Sequence, residues 1–299
     1  MTTIDHVTVA GSGVLGSQIA YQSAYSGKSV TVYDISDDAI AKAQERIRNL
    51  RSLYKKDLNI TDSQFEAGLA RVQYSSDLAT AVADADLVIE AIPEKPEIKH
   101  DFYTQLAAVA PANTIFASNS STMVPSLFMA ETGRPEKFLN LHFANQVWLN
   151  NTAEIMGTPK TDPAVYDEIV AFAREIGMVP IQLKKEQSGY ILNSLLIPFL
   201  NAGQTLWAKG VADPQTIDKT WMKATGAPQG PFAILDIVGL RTAYNIGATL
   251  SNQSHDETLQ TAVSRLKEMI DAGKLGRESG EGFYTYPNPA YEDPKFLEM

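Results

Sequence analysis

Along the first 185 residues, short runs rich in β-branched and aromatic residues alternate with longer stretches in which apolar positions recur every three or four residues. That alternation is the signature of βαβ units and predicts a mostly parallel sheet with helices on its faces. Candidate strands are residues 6–10, 29–34, 87–91, 114–117 and 138–143. Between the second and third, Ile40, Ala43, Ile47, Leu50 and Tyr54 form one apolar stripe, expected to face the core. From about Gln187 the pattern changes. Residues 190–200 are almost wholly apolar, which predicts a helix buried on most faces and kinked at Pro198. Turns at Ala212-Asp213-Pro214, Gly226-Ala227-Pro228 and Gly230-Pro231 then separate helical runs without clear strands. The expected fold class is α/β, with an all-helical C-terminal domain beginning near residue 187.

Composition narrows the chemistry. The chain has 299 residues, 35 acidic against 25 basic, for a formal charge of −10, and no cysteine. Disulfides, thiolate nucleophiles and thiolate metal sites are excluded, so catalysis is expected to run on oxygen and nitrogen groups, with no metal. The acidic balance argues against nucleic acid and anionic membranes as partners, since a polyanion needs a basic surface to release its counterions. With no stretch of about 18 apolar residues and no basic-then-apolar leader pattern, a cytoplasmic protein is expected.

The first strand, Val7-Thr8-Val9-Ala10, runs into Gly11-Ser12-Gly13-Val14-Leu15-Gly16 and then into helix formers. In this strand–turn–helix context the first glycine permits the tight turn and the second lets a pyrophosphate approach the backbone. The third lets helix and strand pack closely, with the helix N-terminus facing the anion. Gly11, Gly13, Val14, Leu15 and Gly16 are therefore expected cofactor contacts in a Rossmann-type sheet. Asp34, at the end of the next strand, can accept hydrogen bonds from the adenosine ribose hydroxyls and repel a 2′-phosphate. Ile35-Ser36-Asp37 supplies no arginine. NAD is expected over NADP, while FAD, which shares the glycine pattern, stays open at this point.

Ligands of such sheets bind beyond the carboxyl ends of the strands. Three further strand ends therefore matter: Ile92-Pro93-Glu94 with Lys99 beyond, Ser118-Asn119-Ser120-Ser121, and His142. Oxidising a secondary alcohol by NAD needs a base for the hydroxyl proton. Of four histidines, His6 is at the wrong end of its strand, His100 is in a helix and His255 is in a polar, loop-like stretch. His142 remains. Twelve residues on, Glu154 lies in a second extended run, 151–156, placed to fold back beside the first. A carboxylate on imidazole fixes its tautomer and stabilises its protonated form. Ser121 and Asn193 are candidates to hold the substrate oxygen.

The blocks GSGVLGSQIA (11–20), DLVIEAIPE (86–94), ASNSS (117–121), LHFAN (141–145), AEIM (153–156), SGYILNSLL (188–196), GAPQGPFAILDIVGL (226–240) and GKLGRESGEGFYTY (273–286) resemble the short-chain L-3-hydroxyacyl-CoA dehydrogenase family, which includes 3-hydroxybutyryl-CoA dehydrogenases. The resemblance covers nearly the whole chain. It implies a Rossmann NAD-binding domain over residues 1–186 and a helical substrate and dimerisation domain over 187–299, pairing as a homodimer. It implies NAD rather than FAD, His142 as acid/base, Glu154 as its partner, and Ser121 and Asn193 on the substrate. Asp34, Glu94 and Lys99 match its NAD-contacting positions, and Asn119 is placed with them. The 6-phosphogluconate-like dehydrogenases use a lysine one turn before the helix asparagine, where this chain has Gly189 and Tyr190.

The sequence departs from the family pattern after the histidine. Where HFFNPxxxMxLVE is usual, Ala144 and Gln146 replace Phe and Pro, and Trp148 and Asn150-Asn151 enter a segment expected to line the acyl pocket. Ser194 follows Asn193 in place of the common arginine. These features resemble the branch containing diketoreductases, which act on 3-oxo and 3,5-dioxo esters without coenzyme A. L-Gulonate 3-dehydrogenase and lambda-crystallin are more distant kin, the latter leaving open a non-enzymatic NAD-binding protein. Coenzyme A is a polyanion. Lys42, Arg46, Arg48, Arg51, Lys55 and Lys56 against Glu45 give +5 within residues 42–56, with Arg48, Arg51 and Lys55 on one helix flank. Arg48, Arg51, Lys55 and Lys56 are the expected CoA contacts; an ordinary solvated face is the alternative. The expected activity is NAD-linked interconversion of a short-chain L-3-hydroxyacyl-CoA and its 3-oxoacyl-CoA.

Overall fold

The computed structural model describes residues 2–254 and 256–298, so His255 lies outside the described residues. The chain divides into two compact units, Met1–Ile191 and Leu192–Met299.

The first unit is built from β1 (His6–Ala10), α1 (Val14–Tyr25), β2 (Ser29–Tyr33), α2 (Asp37–Leu58), α3 (Asp62–Leu69), β3 (Val72–Ser75), α4 (Leu78–Val82), β4 (Leu87–Glu90), α5 (Pro96–Val109), β5 (Ile115–Ser118), β6 (Phe138–Phe143), β7 (Thr152–Gly157), α6 (Pro163–Glu175) and β8 (Val179–Leu183). One eight-stranded sheet runs in the order β3-β2-β1-β4-β5-β6-β7-β8. Strands β1 to β6 are mutually parallel, β7 runs antiparallel to β6, and β8 parallels β7. The central strands β4, β5 and β6 are buried at every residue, as covering both faces of a parallel sheet with helices requires. Strands β3 and β8 are absent from the sequence expectation. Each is a short, half-exposed edge with polar residues, and β8 carries Pro180, which an edge position tolerates.

Helix α2 buries the stripe Ile40, Ala43, Ile47, Leu50 and Tyr54 that its periodicity marks. Ser36 caps its start by accepting from Ala39 N, and Asp37 and Asp38 in the first turn oppose Lys55 and Lys56 in the last, both arrangements favoured by the helix dipole.

The second unit holds α7 (Leu192–Ala208), α8 (Pro214–Thr225), α9 (Pro231–Val238), α10 (Leu240–Ser254) and α11 (Glu257–Asp271). The expectation that the apolar helix is buried on most faces is not met within this unit. In α7 only Leu200, Gly203 and Gln204 are buried, whereas Leu192 and Leu195 are 41% and 69% exposed. Packing on α8, α9 and α11 covers one side of α7, and the helix continues through Pro198.

Two buried carboxyls organise this unit. Asp218 accepts from Phe232 N, Ala233 N and Tyr284 Oη, and Asp236 from Phe283 N, Tyr284 N and Tyr286 Oη. Burial pushes both carboxyls above the usual range, and the donors offset part of that rise. A Cβ at Gly230 would stand 2.5 Å from Asp218, and one at Gly282 2.0 Å from Asp236. Gly230, Gly276 and Gly282 thus serve close packing around these acids. No helix among the described residues is long and apolar enough to cross a membrane.

Candidate active site

The glycine turn sits beneath the end of β4. At Gly11, with φ +96°, a Cβ would meet Ala91 O at 2.5 Å, and at Gly16 one would meet Gly11 O at 2.0 Å, whereas Gly13 faces open space. The outer glycines therefore let turn, strand and helix close together, and the middle one leaves its backbone approachable. Asp34, past the end of β2, accepts from Ser12 N at 2.8 Å and Ser12 Oγ through one oxygen and from Ile35 N at 2.8 Å through the other. Gly13, Asp34, Ile35 and Ile92 line an open cavity of about 860 Å³. Lys42 and Arg46 line it as well, Arg46 donating to Ser12 O at 2.9 Å. They come from the next helix, so inspection of the residues adjoining Asp34 misses them.

A second cavity of about 220 Å³ lies beyond the carboxyl ends of β4 and β5, with Val14, Leu15, Glu94, Lys99, Asn119 and Ser121 on its walls. Lys99 is buried between Glu90 at 2.5 Å and Glu94 at 3.2 Å, and Glu90 also accepts from Tyr103 Oη and Ser118 Oγ. Buried charges are tolerable only when paired and hydrogen-bonded in this way. Glu94 has a second task. Its Oε1 accepts from Ser121 N at 3.0 Å, Thr122 N at 3.1 Å, Thr122 Oγ1 at 2.9 Å and Ser120 Oγ. Burial alone would raise this carboxyl, but Ser120, the Lys99 charge and Thr122 together hold it below the usual range. Glu94 thereby fixes the turn that carries Ser121. Asn119 ties β5 to β6 by accepting from Phe143 N at 2.9 Å.

His142 and Glu154 are directly opposed in the antiparallel register of β6 and β7. Both are buried, at 5% and 4% exposure, and His142 Nδ1 lies 3.1 Å from Glu154 Oε2. A carboxylate only accepts, so Nδ1 carries the hydrogen and Nε2 keeps its lone pair. Ser121 Oγ stands 3.2 Å from that Nε2. The other oxygen of Glu154 accepts from Ile191 N at 2.9 Å. Tyr190, unmarked as a site residue by the sequence reading, stacks its ring on the imidazole with centroids 4.5 Å apart and planes 18° from parallel. Asn193 lies in the first turn of α7 in the second unit, half-buried.

The basic run on α2 is partly neutralised within its own unit. Arg51 pairs with Glu66 and Asp62 and lies over the Phe65 ring, and Lys55 pairs with Asp62 at 2.8 Å. Arg48 and Lys56 are exposed. The +5 excess counts one helix alone, and the acids of α3 face the same flank. Trp148, expected in a segment lining the acyl pocket, is packed against α2. Its indole packs on Tyr54 with centroids 4.9 Å apart and donates to Asp57 Oδ2 at 2.9 Å, which leaves it 6% exposed in the core.

Residues 6–187 match the family described as 3-hydroxyacyl-CoA dehydrogenase, NAD binding domain, and residues 189–286 match its C-terminal domain. The chain belongs to the 3-hydroxyacyl-CoA dehydrogenase family. The human mitochondrial hydroxyacyl-coenzyme A dehydrogenase is 34% identical over 288 residues, covering 95% of this chain and 91% of the relative. A probable 3-hydroxybutyryl-CoA dehydrogenase of Deinococcus radiodurans is 33% identical, covering 93% and 99%. Among solved structures, a diketoreductase described as performing substrate-directed dual catalysis of dicarbonyl compounds is 56% identical, with a TM-score of 0.91 and coverage of 96% and 100%.

As a member of this dehydrogenase family, the chain has groups that suit NAD. The open face of Gly13 at the start of α1 suits the pyrophosphate, and the Asp34 carboxylate in the larger cavity suits ribose hydroxyls. The smaller cavity leads toward Ser121.

Proposed function

We propose that this enzyme interconverts L-3-hydroxyacyl and 3-oxoacyl compounds with NAD(H), with short acyl-CoA thioesters as its substrates. NAD, when bound, supplies the hydride acceptor. The observation that carries the reading is the buried His142–Glu154 pair with Ser121 on the free imidazole nitrogen. His142 Nε2 accepts the hydroxyl proton of the alcohol as the C–H bond is broken, and in reduction it returns that proton to the carbonyl oxygen. Glu154 holds the ring in the tautomer this needs and stabilises the imidazolium. Ser121 donates to the substrate oxygen, and Asn193 is proposed as its second donor. Gly11, Gly13, Val14, Leu15, Gly16, Asp34, Glu94, Lys99 and Asn119 form the cofactor wall. The exposed leucines of α7 fit pairing of two copies through the helical domain, and a cytoplasmic location fits a chain without cysteine.

A second reading rests on two observations. The diketoreductase relative stands at 56% identity, and Arg51 and Lys55 are engaged with acids of α3. Both favour an uncharged 3-oxo or 3,5-dioxo ester over a CoA thioester. NADH oxidation with acetoacetyl-CoA and with a 3,5-dioxo ester, measured side by side, decides between them. Turnover of the thioester with salt-sensitive KM supports Arg48 and Lys56 as phosphate contacts. Turnover of the ester alone removes coenzyme A from the assignment and leaves the proton-transfer chemistry standing.

A further inference from the structure

We propose that Tyr190 is a positioning residue for proton transfer, holding the His142 ring in the plane in which Nε2 meets the substrate oxygen. The proposal rests on the reading of His142 as acid/base and adds to it.

Two consecutive residues before α7 are left-handed, Gly189 at φ +77° and Tyr190 at φ +54°. The turn is closed by Tyr190 N donating to Gln187 O at 3.0 Å. A tyrosine rarely adopts this backbone conformation, and strain of this kind persists where the surroundings over-determine it. The surroundings here are the catalytic groups. Reversal of the chain lays the fully buried Tyr190 ring flat on His142 and, one residue later, aims Ile191 N at Glu154 Oε1 at 2.9 Å.

The ring is itself held at its far end. Tyr190 Oη donates to Ser120 O at 2.6 Å and accepts from Asn140 Nδ2 at 2.7 Å, while Ser188 Oγ in the same turn donates to Thr122 O at 2.6 Å. One turn therefore touches the imidazole, its carboxylate and both neighbours of Ser121. Glu154 and Ser121 hold the imidazole only by its edge, at Nδ1 and Nε2, and leave it freedom to swing about Cβ–Cγ. A ring stacked 18° from parallel removes that freedom.

The test compares Tyr190→Leu, which deletes the stacked ring, with Tyr190→Phe, which keeps it. The expected result for Leu is a kcat lowered about 10-fold or more, with KM and NADH affinity within about twofold of wild type; Phe recovers most of the loss. The second readout needs no turnover. In a chain with four histidines, the His142 ring-proton resonances, assigned by their loss in His142→Gln, are expected upfield through the ring current of Tyr190, still upfield in Phe and displaced in Leu. His142 resonances that are not upfield in the wild-type protein overturn the proposal even if the Leu variant does not fold. A Leu variant with wild-type kcat, or a Phe variant as impaired as Leu, overturns it equally. A wild-type protein inert toward every 3-oxo substrate while its His142 resonances lie upfield overturns the dehydrogenase reading instead.

Discussion

Asp34 and Glu94 are two carboxylates at strand ends that do different work. Asp34 is already bonded to the glycine turn through Ser12, so it stiffens the turn and presents its charge to the same cavity. Lys42 and Arg46 stand on that cavity's wall, and on the proposed reading the Asp34 carboxylate disfavours a 2′-phosphate there. Asp34→Ala is expected to lower kcat/KM with NADH about 10-fold, the order of a lost hydrogen bond to a charged group, and to raise it with NADPH. The comparison is initial rates with both cofactors, and an unchanged ratio would mean that another residue reads the ribose. Glu94 matches a position expected to contact NAD, yet its hydrogen bonds run to the 120–122 turn. The sequence could mark it as polar at a strand end, but only the fold brings residues 94 and 121 together.

At the scale of elements, what was legible depended on how locally each element is determined. Strands β1, β2, β4, β5 and β6 were readable from apolar runs, and α2 from its 3.6-residue stripe, because both patterns record burial directly. Strands β3 and β8 were not, since an edge strand is half solvated and its polar residues erase the pattern. The His142–Glu154 pairing was legible as a spacing of twelve residues and became a register in the sheet. Tyr190 was hidden because it reads as the first apolar residue of the α7 run, whereas it lies in a strained turn of the first unit, before α7 begins; Gly189 before it was the available signal. The charge of α2 was only partly legible for a related reason, as summing one helix ignores the acids of α3 packed beside it. In the second unit, Asp236 ties α9 to the 283–286 segment. Asp236→Asn, which keeps its size but turns a donor toward backbone N–H groups, is expected to cost about 1–3 kcal/mol. Chemical unfolding, with hydrogen exchange at Phe283 and Tyr284, measures it, and wild-type protection of those amides would assign the role elsewhere.

For the molecule as a whole, a net charge of −10 leaves its acids mutually repulsive except where they are paired. Glu175, at the end of α6, accepts from Lys28 Nζ at 2.7 Å and from Thr2 N and Oγ1, each at 2.8 Å, which ties the start of the chain to the sheet. The Lys28 hydrogen bond, with Thr2, holds this carboxyl at about 2, against 4.5 ordinarily. Its folded value is depressed, so its contribution to stability is present above about pH 4.5 and is lost as pH falls toward 2. The gap in urea midpoint between wild type and Glu175→Gln should narrow from pH 5.5 to pH 3; a constant gap would contradict the pairing. The central claim concerns His142, and single-turnover NADH oxidation by His142→Gln with the better of the two 3-oxo substrates tests it most directly. Loss of a general acid predicts a rate lower by about 100-fold or more with NADH affinity unchanged, and a rate near that of the wild-type enzyme would contradict the account.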